Sequence, residues 1–163
     1  MRKRFNVKIT KTGFTLMEAI VAITIITVGI VGVFSLVTQT ISSVSVSEDK
    51  LIAAYLAQEG IEIVRNIRDT NWIENESTWV GLDAGIYEVD YDAQFLSDYT
   101  GTPLNLETAT NYYGYGAGNS TKFTRKITIT QFGNYINVVV LVEWEEKGKS
   151  YNVTAQENLY DWY

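Results

Sequence analysis

Residue types that support most enzymatic chemistry are missing from this 163-residue chain. It contains no Cys and no His, which excludes disulfides, thiolate nucleophiles, His-based proton transfer and Cys/His zinc sites. A two-carboxylate or Ser-Lys site is the remaining catalytic option, and no spacing of these residues singles one out. We therefore expect a protein that is not an enzyme and that has no cofactor and no metal site.

One carboxylate stands out by its surroundings. Glu18 lies five positions after Gly13, near the start of a long apolar run, and no charged residue follows it in residues 19–47. An acidic side chain costs about 2.5–3.5 kcal/mol at the centre of a bilayer and less near its surface, so a compensating group is expected. A cut after Gly13 supplies one, because the new amine of Phe14 is positively charged and can pair with Glu18.

A basic leader and a membrane helix are the segments that would position Glu18. Residues 1–13 hold five basic and no acidic side chains, whereas residues 14–163 hold 8 basic and 19 acidic ones, a charge of −11. The uncharged stretch exceeds the roughly 20 residues that a transmembrane helix needs, and we assign this helix to residues 14–40. The positive-inside rule places the leader in the cytoplasm and the C-terminal head outside. The acidic charge of the head argues against nucleic acid as a partner.

The rest of the chain predicts an α+β domain. In residues 41–71 apolar side chains recur at helical spacing on one face, so we expect an amphipathic helix that continues the membrane helix into the head. Residues 72–163 contain alternating segments typical of strands, and the last two are joined by a turn with a Gly. These segments are 86–91, 123–131, 134–143 and 151–155. We predict an antiparallel sheet of about four strands, packed against the helix.

Residues 92–122 have no recognisable period. They contain the only proline and a tract rich in Tyr, Gly and Asn, so we expect a long surface loop. Its residues Tyr112, Tyr113 and Tyr115 are candidates for a surface-binding site, with a simply packed or mobile loop as the alternative. Calcium, which binds six to eight oxygens, is a candidate ligand of the nearby acidic residues Asp90, Asp92, Asp98 and Glu107. These residues lack EF-hand spacing, and a solvated acidic face is the favoured interpretation.

The stretch KTGFTLMEAIV, from Lys11 to Val21, resembles the N-terminus of type IV pilins and of the pseudopilins of type II secretion systems. The matching pattern is Gly-Phe-Thr-Leu-x-Glu followed by a long apolar run. The resemblance implies that a prepilin peptidase removes the leader by cutting after Gly13 and then methylates the new N-terminal residue, Phe14. It also implies a pilin fold, in which a long N-terminal helix packs with its second half on an antiparallel sheet.

Assembly is the function that the resemblance implies. Glu18, with Thr15 and Leu16 beside it, would take part in contacts between subunits in a pilus or pseudopilus. The partners would then be the prepilin peptidase, other pilin or pseudopilin subunits and, before assembly, membrane lipid. The location would be the cytoplasmic membrane, as a single-pass protein with its head outside, and afterwards a cell-surface pilus or a periplasmic pseudopilus.

A weaker resemblance concerns the subtype. Residues 52–72 and 138–163 are similar to minor pilins of the V type and to I-type minor pseudopilins. The chain differs from many major pilins because it lacks a disulfide and because Ser35 stands where they have a helix-bending proline. Any flexibility of the helix must then come from Gly29 and Gly32, since Gly costs about 1 kcal/mol relative to Ala in a helix.

The sequence leaves open two alternatives to a filament subunit. The first is a secretory signal in residues 1–45 that is cut near Ser43-Val44-Ser45, although the apolar run is longer than usual for such a signal and contains Glu18. The second is a membrane-anchored adhesin or binding protein whose helix is only a tether.

Overall fold

The computed structural model describes residues 13–75 and 79–161, so residues 1–12 of the predicted leader lie outside the described residues. In those two ranges one helix precedes eight strands, and the fold is of the α+β class. The helix is α1 (Leu16–Asn75), and the strands are β1 (Gly85–Glu88), β2 (Ser97–Asp98), β3 (Asn105–Leu106), β4 (Tyr113–Gly114), β5 (Asn119–Ser120), β6 (Thr124–Phe132), β7 (Tyr135–Glu146) and β8 (Lys149–Tyr160).

Helix α1 includes both segments that were predicted to be helical, except for Phe14 and Thr15, which precede it. The chain divides into two compact units, of which the first ends at Val44 and the second, the head, begins at Ser45. Within the head, the helix face predicted from the apolar spacing is buried, and Leu56, Val64 and Ile67 each expose 4% or less of their surface. The amphipathic character of this part of the helix is thereby confirmed.

Five strands form one antiparallel sheet, in the order β2-β1-β6-β7-β8. Along β7 the side chains alternate between a buried and a more exposed face, as the period of two predicts. The buried rows of β6 and β7 pack with α1 in a single hydrophobic core. The predicted packing of a helix on an antiparallel sheet is confirmed, and the four longer strands are those expected from the sequence.

The β7–β8 hairpin closes through a two-residue turn, Lys147-Gly148. Both residues have positive φ angles, 52° and 72°, as in the type I′ turn, whose twist matches that of the strands it joins. The pairing register places Glu146 opposite Lys149 across this turn. The final hairpin predicted from the sequence is therefore present.

Residues 92–122 were predicted to be an irregular loop, and this prediction was wrong because they contain four of the strands. Strand β2 joins the main sheet, while β3, β4 and β5 form a second sheet in the order β4-β3-β5. Each of these strands has only two residues. An alternating pattern needs about four residues to be recognised in a sequence, so strands of this length leave no signal.

A charged cluster attaches α1 to the sheet. Lys122 Nζ lies 2.7 Å from Asp49 Oδ2 and 2.8 Å from Glu146 Oε2, and Ser45 Oγ donates to Glu146 Oε1 at 3.1 Å. Hydrogen bonds from Lys122 and Ser45 lower the pKa of Glu146, so this carboxylate stays charged at more acidic pH than an ordinary glutamate does. The cluster fixes the first helical residues of the head against the strands.

Replacing Gly60 with leucine is expected to lower the free energy of unfolding of the head by about 1–3 kcal/mol, the usual cost of overpacking a core. A Cβ atom at Gly60 would lie 3.0 Å from Val140 Cγ1 and 3.4 Å from Arg125 Cδ, so a larger side chain has no room. Thermal unfolding of the full chain in detergent, followed by near-ultraviolet circular dichroism, measures the change. The matched control is Gly32→Leu, because a Cβ there meets nothing within 4 Å; equal melting temperatures for the two variants would contradict the close packing at Gly60.

Candidate functional site

The junction between the leader and the apolar helix has a defined structure. Gly13, Phe14 and Thr15 precede α1 and are not helical, and 77% of the Phe14 surface is exposed. The peptide bond between Gly13 and Phe14 therefore lies in an accessible, non-helical segment. Accessible irregular segments are the usual sites of proteolytic cleavage.

Thr15 determines where α1 begins. Its Oγ1 atom accepts a hydrogen bond from the backbone N–H of Glu18 at 3.3 Å, which satisfies one of the unpaired donors of the first helical turn. The sequence Thr15-Leu16-Met17-Glu18 matches the capping-box pattern, in which a Ser or Thr is followed three residues later by Glu or Gln. This capping role of Thr15 was not predicted, although the Thr-x-x-Glu pattern is a signal for it in the sequence.

Glu18 lies in the first turn of the helix, where its negative charge interacts favourably with the helix dipole by about 0.3–1 kcal/mol. Among the residues that the structure describes, none donates a hydrogen bond to its carboxylate or forms an ion pair with it. The carboxylate is thus available to a group from outside the described chain.

The apolar surface of the first unit is uncovered. One helix in the described residues is long and apolar enough to cross a membrane, and none of its most apolar window is buried. The polar side chains of this helix suit an apolar environment, because several of its threonine hydroxyls donate to the backbone carbonyl four residues earlier. Thr24, Thr27 and Thr40 make these bonds at 2.7–2.9 Å, so their donors need no water.

Gly29 and Gly32 lie within this helix, which continues through both of them. The absence of a side chain at Gly29 leaves a hollow, which Ile26, Ile30 and Val33 border. These four positions follow the i, i+3, i+4, i+7 spacing that forms a hole for a side chain of a neighbouring helix. The prediction that the two glycines make the helix flexible stays a prediction.

The three candidate tyrosines of the predicted loop do not share one surface. Tyr112 is 56% exposed, whereas Tyr113 is half-buried and its ring lies 6.1 Å from that of Phe123, edge to face. Tyr115 is also half-buried, and burial raises its pKa to about 12. Only Tyr112 therefore presents most of its ring to solvent.

The acidic residues around this region hold the chain in place. Asp90 Oδ2 accepts from the backbone N–H of Tyr115 at 3.2 Å, and Glu107 Oε2 accepts from Thr110 Oγ1 at 3.0 Å. In the two described ranges, no three carboxylates come close enough together to hold a metal ion.

Arg125 is a buried charged residue. The only sign of its burial in the sequence is its position on the apolar face of an alternating segment. Its side chain is fully buried, and Nη1 donates to Glu59 Oε2 at 2.6 Å and to the Leu56 carbonyl at 3.2 Å, while Nη2 donates to the Val89 carbonyl at 2.7 Å. It joins α1, β6 and the end of β1, which is a structural role within the core.

Comparison of the chain with protein-family models, with characterised proteins and with solved structures finds no match in any of the three. Any functional conclusion must therefore be argued from the N-terminal motif and from the two contrasting parts of α1.

Proposed function

We propose that this chain is a structural subunit of a type IV pilus or of a type II secretion pseudopilus, most similar to a minor pilin or minor pseudopilin. The observation that carries the proposal is the contrast within α1. Up to Val44 its large apolar side chains are exposed, and from Ala53 onward the helix packs one face into the core of the head. A simple tether needs only the first property, whereas a pilin needs both in one helix.

The first part of the helix suits two environments in succession. A helix that is apolar all round is stable in lipid and equally stable in a bundle of like helices. The precursor would therefore reside in the cytoplasmic membrane, with its head outside, until processing allows it to enter a filament. The hollow at Gly29 is a suitable contact for the side chain of a neighbouring helix in that bundle.

The cleavage of the leader and the axial register between neighbouring subunits would both depend on the residues at the start of α1 and just before it. The prepilin peptidase would cut the accessible bond after Gly13 and methylate Phe14. Glu18 would then pair with the Phe14 amine of an adjacent subunit, since an unpaired carboxylate disfavours an apolar bundle. This pairing selects one axial stagger between neighbouring subunits.

The secretory-signal alternative is less compatible with the fold. Ser43-Val44-Ser45 lies inside α1, and Ser45 Oγ is hydrogen-bonded to Glu146. A cut here would break a peptide bond inside a helix. The helical backbone is less accessible to a protease than the irregular backbone at Gly13.

The mature chain is expected to begin at Phe14 and to carry one methyl group on its N-terminal amine. Mass spectrometry of the full chain, expressed with a prepilin peptidase and purified from membranes, measures both changes. Gly13→Leu should leave the leader uncut, whereas the control Gly32→Leu should be processed normally. A mature terminus near Val46 would instead support the secretory-signal alternative and would contradict the proposal.

A further inference from the structure

A row of two neighbouring hollows lies along one side of α1 in the head. Its first part, about 370 Å³, lies between the helix and the segment Asn111–Tyr113, and its second part, about 290 Å³, lies between the helix and the turn after β1. We call the two parts together the α1 trough. The helix residues that line it recur at i, i+3 or i+4 from Ile52 to Glu74, which corresponds to about 33 Å along the helix.

Aromatic rings occur along the whole trough. Tyr55 and Tyr112 border the first part, and Phe95 and Tyr91 border the second. The rings of Tyr91 and Tyr112 are in contact, with centroids 5.0 Å apart, so the two parts adjoin. Phe95 is 70% exposed, and a large aromatic side chain that is exposed in a concave surface is typical of a binding site.

The polar lining of the trough is anionic and rich in carboxamides. Asp92 and Glu74 line the second part, and neither forms an ion pair within the described residues. Among the described residues that line either part, none is a Lys or an Arg. The carboxamides of Asn66, Gln94 and Asn111 both donate and accept hydrogen bonds, which is the pattern that hydroxyl groups require of a partner.

The turn that carries Asp92 and Phe95 contains two hydrogen bonds to Asp90. The Asp90 carbonyl accepts from the N–H of Ala93 at 3.3 Å, and its Oδ1 accepts from the N–H of Tyr91 at 2.8 Å. These bonds define the turn whose residues 91–95 line the second part.

We infer that the α1 trough binds a linear oligosaccharide that carries free amino groups. The aromatic rings supply apolar surfaces for sugar rings, the carboxamides match the hydroxyl groups, and the carboxylates of Asp92 and Glu74 select a positively charged amine over its acetylated form. Exposed rings also attract an ammonium group through cation–π contact. The inference concerns the head alone and is independent of the role of the helix in assembly.

Calorimetric titration with a glucosamine tetramer tests this inference, and an N-acetylglucosamine tetramer serves as the matched neutral probe. The full chain is used in a polyoxyethylene detergent, which carries neither sugar nor charge. We expect saturable binding of the glucosamine tetramer with a dissociation constant of about 0.1–1 mM, and binding at least tenfold weaker for the acetylated tetramer. Equal affinity for the two tetramers, or no binding, would overturn the inference, as would equally tight binding of tetralysine.

Variants then locate the site. The pair Asp92→Asn and Glu74→Gln should reduce the affinity for the glucosamine tetramer to that for the acetylated one, and Tyr112→Ala should weaken the binding of both. Phe132→Ala is the matched control, because Phe132 is an exposed aromatic residue outside the trough. All of these side chains are exposed or only partly buried, so an unchanged melting temperature establishes that each variant is folded. Unaltered binding by Tyr112→Ala, or an equal loss in Phe132→Ala, would refute the assignment to this trough.

Discussion

Replacing Glu18 with valine is expected to remove the chain almost completely from assembled filaments, while insertion into the membrane and cleavage after Gly13 continue. The neighbouring Phe14 amine would lose its partner, and an uncompensated charge in an apolar interior costs about 3–5 kcal/mol. A loss of this size corresponds to at least roughly a hundredfold decrease in incorporation. Quantitative immunoblots of sheared filaments and of membranes measure the partition of the chain between the two.

Two further variants test whether the charge of Glu18 is what matters. Glutamine has nearly the size and shape of glutamate without its charge, so Glu18→Gln should assemble normally if only the size and polarity of the side chain are needed. If the charge sets the register, Glu18→Gln should fail as valine does. Glu48→Val is the control, because Glu48 is an acid of the same helix that lies beyond the apolar run. Normal assembly of Glu18→Val would disprove the register hypothesis.

Replacing Arg125 with methionine is expected to destabilise the head by about 2–4 kcal/mol, because a buried carbonyl loses its donor, at about 1–3 kcal/mol, and the apolar packing of the long side chain changes. Methionine retains much of the apolar volume but donates no hydrogen bond, so the Val89 carbonyl loses its partner and Glu59 loses its counter-charge. For a domain of this size the melting temperature should fall by roughly 10–20 °C. Thermal or guanidinium unfolding of the full chain in detergent measures the loss.

The matched control for this substitution is Arg65→Met. Arg65 also forms ion pairs, with Glu62 and Glu157, but about a third of its side chain is exposed. Ion pairs at exposed positions contribute about 0–1 kcal/mol, so this variant should unfold nearly as the unmodified chain does. A similar loss of stability in both variants would contradict the idea that Arg125 contributes more to stability because it is buried.

The parts of the fold with strong local patterns were predictable from the sequence. The apolar spacing around Leu56 and Val64 identified the buried helix face, and the alternation in β7 with the following Lys147-Gly148 identified the final hairpin. In each case the signal extends over at least ten residues, and no distant partner is needed to recognise it.

The remaining structure depends on contacts between residues that are far apart in the sequence. The short strands within residues 92–122 are held by bonds such as that from Asn105 Nδ2 to the Gly116 carbonyl, at 2.8 Å. Arg125 forms an ion pair with Glu59, which lies 66 residues earlier in the sequence. The α1 trough requires the turn at Asp90 to place residues 91–95 against the helix. The candidate assembly site stays a prediction, and its motif differs from these features because it is contiguous and needs no distant contact to be visible in the sequence.

The order of the elements along the chain has a consequence for synthesis. The helix face that ends at Ile67 is made well before Trp144, which completes the buried row of β7 that covers it. At a synthesis rate of about 5–20 residues per second, the interval between these two residues is about 4–15 s. During this interval the nascent helix has an apolar stripe with no partner of its own, so a ribosome that stalls before β7 leaves a chain prone to aggregate.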